Sequence, residues 1–297
     1  MAAAGKVWHG ARTLLSANPC EEKVRRERRT ALIIPREHGA WGLLLVPMIT
    51  GAGVAFRDSS HALPFLLLLI SALALFWLRT PVESLLGTSA LRAQNKDERR
   101  TVAVVILCLS AVATASLATL LWAGRNPKLW LIGIAVAVAF ASQSVLRKLG
   151  RRTRMLSEMI GTVGLTLGAP AAYYVMTGKL DATAWMLWFA NFIFAGNQIH
   201  YVQLRIHTAR VEGMRDKFTK GWAFATGQLL MAVVLAATCW LKLMPWLALI
   251  AFAPLLVRGW LYFVEKPAPL QVRRLGWNEL SQAVIFCILF VTVFALR

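Results

Sequence analysis

The chain has 297 residues, 58% of them hydrophobic and 16% charged, where a soluble domain carries about 25% charged residues. Its formal charge of +19 would suggest nucleic acid in a soluble protein. Here the charges gather in short clusters between long apolar stretches, which excludes a soluble enzyme and leaves no polar domain to read a nucleic acid.

Residues 1–38 form a basic N-terminal segment with no apolar signal-peptide core. The run Lys23-Val24-Arg25-Arg26-Glu27-Arg28-Arg29 reads as a solvated charge cluster, and Val7 to Leu15 as a short amphipathic stretch on the membrane surface. From 39 to 297 the sequence reads as one transmembrane domain. Apolar segments fall at 39–56, 61–79, 101–123, 128–145, 153–175, 183–204, 220–241, 245–263 and 276–296. Each is close to the roughly 20 residues that cross a bilayer. Backbone groups in lipid must be satisfied within the segment, so the spans are helices. The fold class is therefore all-α, a polytopic membrane bundle of about nine transmembrane helices.

Basic residues concentrate in cytoplasmic loops. With the N-terminus inside, the inner segments hold 27 of the 33 Lys and Arg. The outer ends hold only Arg57, Arg125, Lys128, Lys179, Lys242 and Arg297. Nine spans preserve this bias, and they put the protein in the cytoplasmic (inner) membrane with an external C-terminus. Pro81 should end or kink the second helix. Gly161, Gly164 and Gly168 share one face of the fifth, suited to close helix contact. Cys20, Cys108, Cys239 and Cys287 form no C-x-x-C pair and suggest neither a disulfide framework nor a zinc site.

Charged and polar side chains at membrane depth are costly, and each is a candidate for function. His38 and Trp41 open the first helix. Arg79 and Glu83 flank Pro81, and Glu158 lies one turn inside the fifth helix. Gln198, His200, Tyr201 and Arg205 cluster at the inner end of the sixth, and Glu279 at the inner start of the ninth. All ten are expected near one membrane face, lining an inward-opening polar cavity with a basic or hydrogen-bonding partner for Glu158, either Arg79 or Arg205. On the sixth helix Asn191, Phe194, Gln198, Tyr201 and Arg205 fall within about 80° of one another. No metal ligand set, catalytic residue or cofactor is assigned, and nucleotide and hydrolase motifs are lacking.

The stretch Pro35-Arg36-Glu37-His38-Gly39-Ala40-Trp41-Gly42 resembles the opening motif of the YwiC-like family of bacterial membrane proteins. That resemblance implies a membrane protein and names no activity. A more distant similarity is to the UbiA superfamily of intramembrane prenyltransferases. It rests on nine helices, long inner loops, the run from Leu146 to Tyr174, and the stretch from Asn197 to Arg205. UbiA enzymes hold magnesium and diphosphate with paired aspartates. Here Tyr201 and Arg205 stand in the corresponding slots, so the resemblance implies a UbiA-like bundle without that metal chemistry. The functional expectation is binding of a lipid or isoprenoid-like molecule, with Arg79 and Arg205 facing an anionic head group and membrane lipids as the immediate partners. The alternative is a non-enzymatic transporter or membrane assembly factor.

Overall fold

The structure is a computed structural model that describes residues 19–34, 38–57, 62–87, 91–124, 127–150, 153–209, 211, 213–265 and 270–296. The expected surface helix over Val7 to Leu15 lies outside the described residues, as do Pro35 to Glu37 of the opening motif and Arg125. The described residues form helices and turns, with no strand among them. In chain order the helices are α1 (Pro19–Ile33), α2 (His38–Ala55), α3 (Leu63–Leu86), α4 (Lys96–Trp122), α5 (Pro127–Lys148) and α6 (Arg154–Thr166). They continue with α7 (Gly168–Thr177), α8 (Ala182–His207), α9 (Met214–Trp240), α10 (Leu249–Val264) and α11 (Val272–Ala295), a 3-10 turn at Trp246–Ala248 leading into α10.

Each of the nine apolar segments corresponds to a helix or, at 153–175, to the pair α6 and α7. Among the described residues, seven helical segments are long and apolar enough to cross a membrane. The apolar part of α2, Trp41–Ala55, is shorter. Helix α8 is long and unbroken, but its apolar run is interrupted by Asn191, Asn197, Gln198, His200 and Gln203. The chain is thus a polytopic helical bundle.

The protein divides into two compact units. The first is drawn from Met1–Arg36 and Ala72–Ala113, the second from Glu37–Ser71 and Thr114–Arg297. In the first, the charge run is helical. Its residues from Glu22 to Glu27 are exposed, but Leu32 is buried with Ala93 and Val102. The indole nitrogen of Trp77 donates to the carbonyl of Ile33 at 2.8 Å, satisfying one of the carbonyls a helix end leaves open. Glu98, only 4% exposed, accepts Nε of Arg28 at 2.8 Å and the backbone N–H of Gln94 at 2.9 Å. Its reach back over the start of α4 follows capping-box logic. Helix α3 does not end at Pro81 but runs on to Leu86. Ser84 on its following turn donates its hydroxyl to the Pro81 carbonyl at 2.9 Å.

The second unit is centred on α6 and α7. This span buries 72% of its apolar window, against 17–39% for the other six. Small residues make that possible. A Cβ on Gly51 of α2 would lie 2.1 Å from the carbonyl oxygen of Ala169 in α7, and one on Gly168 would lie 2.9 Å from Met48. On the same span, Gly161 abuts the Gln143 amide and Gly164 abuts Ala139, both from α5. The expected continuous helix over 153–175 is interrupted at Leu167. Pro170 has no N–H to offer the carbonyl four residues earlier, on Thr166, which accounts for the break.

Arg57, beyond the end of α2, donates to the carbonyl of Phe294 near the end of α11 at 3.3 Å. The first and ninth spans therefore finish at the same end, as an odd number of spans requires. If the α2–α7 contact sets the packing, Gly51→Ala should destabilise the protein by about 1–3 kcal/mol through overpacking. Gly133→Ala, with nothing within 4 Å of the new carbon, should be neutral or slightly stabilising. Thermal unfolding of the two variants in detergent is the check.

Candidate functional site

Helices α8 and α10 finish, and α6, α9 and α11 begin, at a common end of the second unit, where cross-helix hydrogen bonds join them. Glu279 lies seven residues into α11, and Arg258 is the single charge within the apolar α10. The guanidinium of Arg258 and the carboxylate of Glu279 form an ion pair, with side chains 15% and 12% exposed. The amide of Gln198 on α8 donates to the backbone carbonyl of Glu279 at 2.9 Å. Arg258 also lies over the ring of Tyr201, 4.1 Å from its centroid, a cation–π contact strengthened by desolvation. Glu279 thus ties together α8, α10 and α11.

One turn toward the helix ends lies a second cluster. The Tyr262 ring of α10 meets Tyr201 edge-on, centroids 5.9 Å apart. Two cations converge on Tyr262. Nζ of Lys217 is 4.0 Å from the ring centroid and the Arg205 guanidinium 5.3 Å. The Tyr262 hydroxyl shares a hydrogen bond with Thr208. Lys217 is only 3% exposed and donates to the backbone carbonyl of Glu265 at 2.7 Å. Among the described residues neither Lys217 nor Arg205 has a carboxylate within ion-pair distance. Glu265, exposed at the end of α10, is the nearby acid whose charge acts on Lys217.

Of the residues picked out from the sequence, Gln198, Tyr201, Arg205 and Glu279 come together here. The face of α8 that the spacing defined is the packed one, with Asn191, Phe194, Gln198 and Tyr201 all buried. His200 lies against Phe224 and Gly227 of α9 on another side of the helix. Glu158 is not held by Arg79 or Arg205. It accepts Nε of Arg154 at 3.0 Å and the Gln203 amide at 2.8 Å, because Arg154 follows the favourable one-turn spacing on its own helix and Gln203 faces it from α8. Arg79 and Glu83 pair with each other on α3 at 2.9 Å, within the first unit. Trp41 is half-buried on α2, and the side chain of His38 lies outside the described residues. An open cavity of about 480 Å³ is lined by Arg215, Phe218, Thr219 and Trp222 of α9, none of them residues expected to line one. Among the described residues no group of three or more His, Cys, Asp or Glu is placed to hold a metal.

Sequence reasoning missed Lys217, Arg258 and Tyr262. Both cations were counted with the inner loops on charge alone. The available signal was position: Arg258 has six residues of α10 still to follow it, and Lys217 is the fourth residue of α9.

An apolar helical bundle with its charges paired at one end of the spans is a multi-pass integral membrane protein. Residues 34–173 match the family described as YwiC-like protein. The protein named "Uncharacterized protein YwiC", from Bacillus subtilis (strain 168), is 25% identical over 256 residues, covering 86% of this chain and 95% of its own length. No solved structure matches the chain. The likeness to UbiA enzymes thus rests on the sequence features alone.

The Arg258–Glu279 pair has a testable energetic signature. Removing one partner of a buried pair leaves an uncompensated charge and costs about 3–5 kcal/mol, whereas an apolar replacement of both is often near neutral. Arg258→Leu alone and Glu279→Leu alone should each lower the unfolding temperature in detergent markedly, and the double substitution should recover most of the loss.

Proposed function

We propose that this end of the bundle binds the anionic head group of a lipid or isoprenoid-like amphiphile from the cytoplasmic side of the inner membrane. The observation carrying this reading is Lys217: a buried ammonium beside the Arg205 guanidinium on one tyrosine ring, without a carboxylate in ion-pair contact among the described residues. Two like charges on one ring, one of them buried, are costly. A phosphate or diphosphate shared between them removes that cost and forms charge-assisted hydrogen bonds with both. The apolar surface of the surrounding helices suits the tail. Arg205 in one of the two aspartate positions, and Arg258 over the Tyr201 ring in the other, also fit a site that holds an anion without magnesium.

The orientation belongs to this reading. The basic loops put the N-terminus and the α8–α9 and α10–α11 connections in the cytoplasm, with the C-terminus outside. Reporter fusions after Arg57, Lys179 and Lys242 should read external, and fusions within 88–95 cytoplasmic. A cytoplasmic reading after any of the first three would reverse the site's orientation.

A transporter is the second reading, favoured by the local irregularity that Pro170 introduces at Leu167 in the most buried span. Irregular helices commonly line transport sites. Movement of a labelled anionic amphiphile across proteoliposomes separates transport from binding.

Binding itself is tested by native mass spectrometry in detergent. The wild type should retain phosphatidic acid over phosphatidylcholine of matched chains, and Lys217→Gln and Arg205→Gln should each reduce retention about tenfold, the loss of one charge-assisted hydrogen bond. Lys179→Gln should leave it unchanged. Equal retention of the two lipids by the wild type would refute the proposal.

A further inference from the structure

Among the described residues, nine buried side-chain atoms have no hydrogen-bond partner, and four of them cluster around one ion pair. They are Nε and Nη2 of Arg258, Oε2 of Glu279 and Oε1 of Gln282. Gln282 lies one turn beyond Glu279 on α11, so its side chain occupies the same side of that helix. Native interiors satisfy the great majority of such groups, and each buried exception needs a partner.

The kind of partner follows from the atoms. Arg258 supplies donors and can never accept; Glu279 and Gln282 offer acceptor oxygens. A bare anion satisfies the guanidinium but is repelled by the Glu279 carboxylate. A second cation satisfies the carboxylate but not Arg258. The group that satisfies both sides is a hydroxyl, which donates one hydrogen bond and accepts others.

This cluster adjoins the proposed head-group site. Arg258 lies over Tyr201, Arg205 and Lys217 lie over Tyr262, and the two rings are in edge contact 5.9 Å apart. A glycerol linked to a phosphate carries an anion and free hydroxyls side by side, the pairing that two adjoining clusters of this kind select.

We infer that Arg258, Glu279 and Gln282 form a hydroxyl-recognition subsite beside the anion site, so that the preferred amphiphile carries a polyol on its phosphate. The inference rests on the head-group reading above and adds the chemistry of the head group to it. The four atoms are shut off from solvent, so a hydroxyl reaches them when side chains at this end shift while the Arg258–Glu279 pair stays closed. Below the subsite the bundle is closed by the stacked rings of Phe194 and Phe286, centroids 4.1 Å apart, which set its floor.

The test uses the full-length protein in detergent, supplied in turn with phosphatidylglycerol, phosphatidic acid and phosphatidylcholine of identical chains. Retention is read by native mass spectrometry for the wild type, Gln282→Leu and Lys217→Gln. Oε1 of Gln282 makes no hydrogen bond, so Gln282→Leu removes no internal partner and should unfold no earlier than the wild type. The expected result is phosphatidylglycerol retained about tenfold more than phosphatidic acid, the worth of matched polar groups that otherwise stay unpaired. Gln282→Leu should erase that preference while leaving phosphatidic acid unchanged. If the wild type retains the two anionic lipids equally and Lys217→Gln loses both, the anion site stands, the cluster holds solvent only, and the hydroxyl inference is overturned. A preference that survives Gln282→Leu overturns it as well. Retention no better than phosphatidylcholine for either anionic lipid removes the head-group reading and this inference together.

Discussion

A carboxylate seven residues inside a membrane-spanning helix has few physical options: it must be neutralised, paired or hydrated. Glu279 is paired, and the residue that pairs it, Arg258, comes from the one charged position of α10. Each charge would be very costly without the other, so α10 and α11 must meet at this level. The Gln198 amide on the Glu279 carbonyl and the Tyr201 ring beneath Arg258 bring α8 into the same junction. The convergence of three helix ends in the second unit follows from the need to keep two charges together away from water.

That junction makes the neighbouring positions unusual. With Glu279 committed to Arg258, neither Arg205 nor Lys217 has a carboxylate in ion-pair contact among the described residues, and both turn to the π-face of Tyr262. A cation–π contact offsets part of the desolvation cost but does not neutralise charge. Further into the bundle the polar layer stops at aromatic packing, where Phe194, Phe252, Phe286 and Phe290 stack or meet edge-on. The result is an excess of positive charge at one end of a bundle whose remaining surface is suited to lipid.

The nine helical segments were legible in the sequence because the bilayer imposes them: internal hydrogen bonding and a fixed thickness leave a run such as 276–296 little choice but α11. Glu158, Gln198, Tyr201, Arg205 and Glu279 were visible for the same reason, as polar groups where lipid penalises them. Which of them pair with which was not legible. Glu158 finds Arg154 and Gln203, rather than Arg79 or Arg205, because geometry within one helix turn and across α6 and α8 decides it. Arg258 and Lys217 were passed over because a basic residue near a helix end reads as a loop charge until the packing shows it turned inward. The break at Leu167 and the continuation of α3 through Pro81 show the same limit. Proline removes a donor in both helices, and the surrounding structure decides whether the helix stops.

The most direct measurement is photo-crosslinking of the purified protein with a phosphatidic acid carrying its photoreactive group close to the phosphate, followed by peptide mapping. A head group seated at the α8–α9–α10 junction should label residues around Arg205, Lys217 and Tyr262, and excess unlabelled phosphatidic acid should compete that labelling away. Labelling confined to outward-facing residues such as Trp222, Leu229 and Val233 of α9, unaffected by competitor, would contradict a head-group site at this end of the bundle.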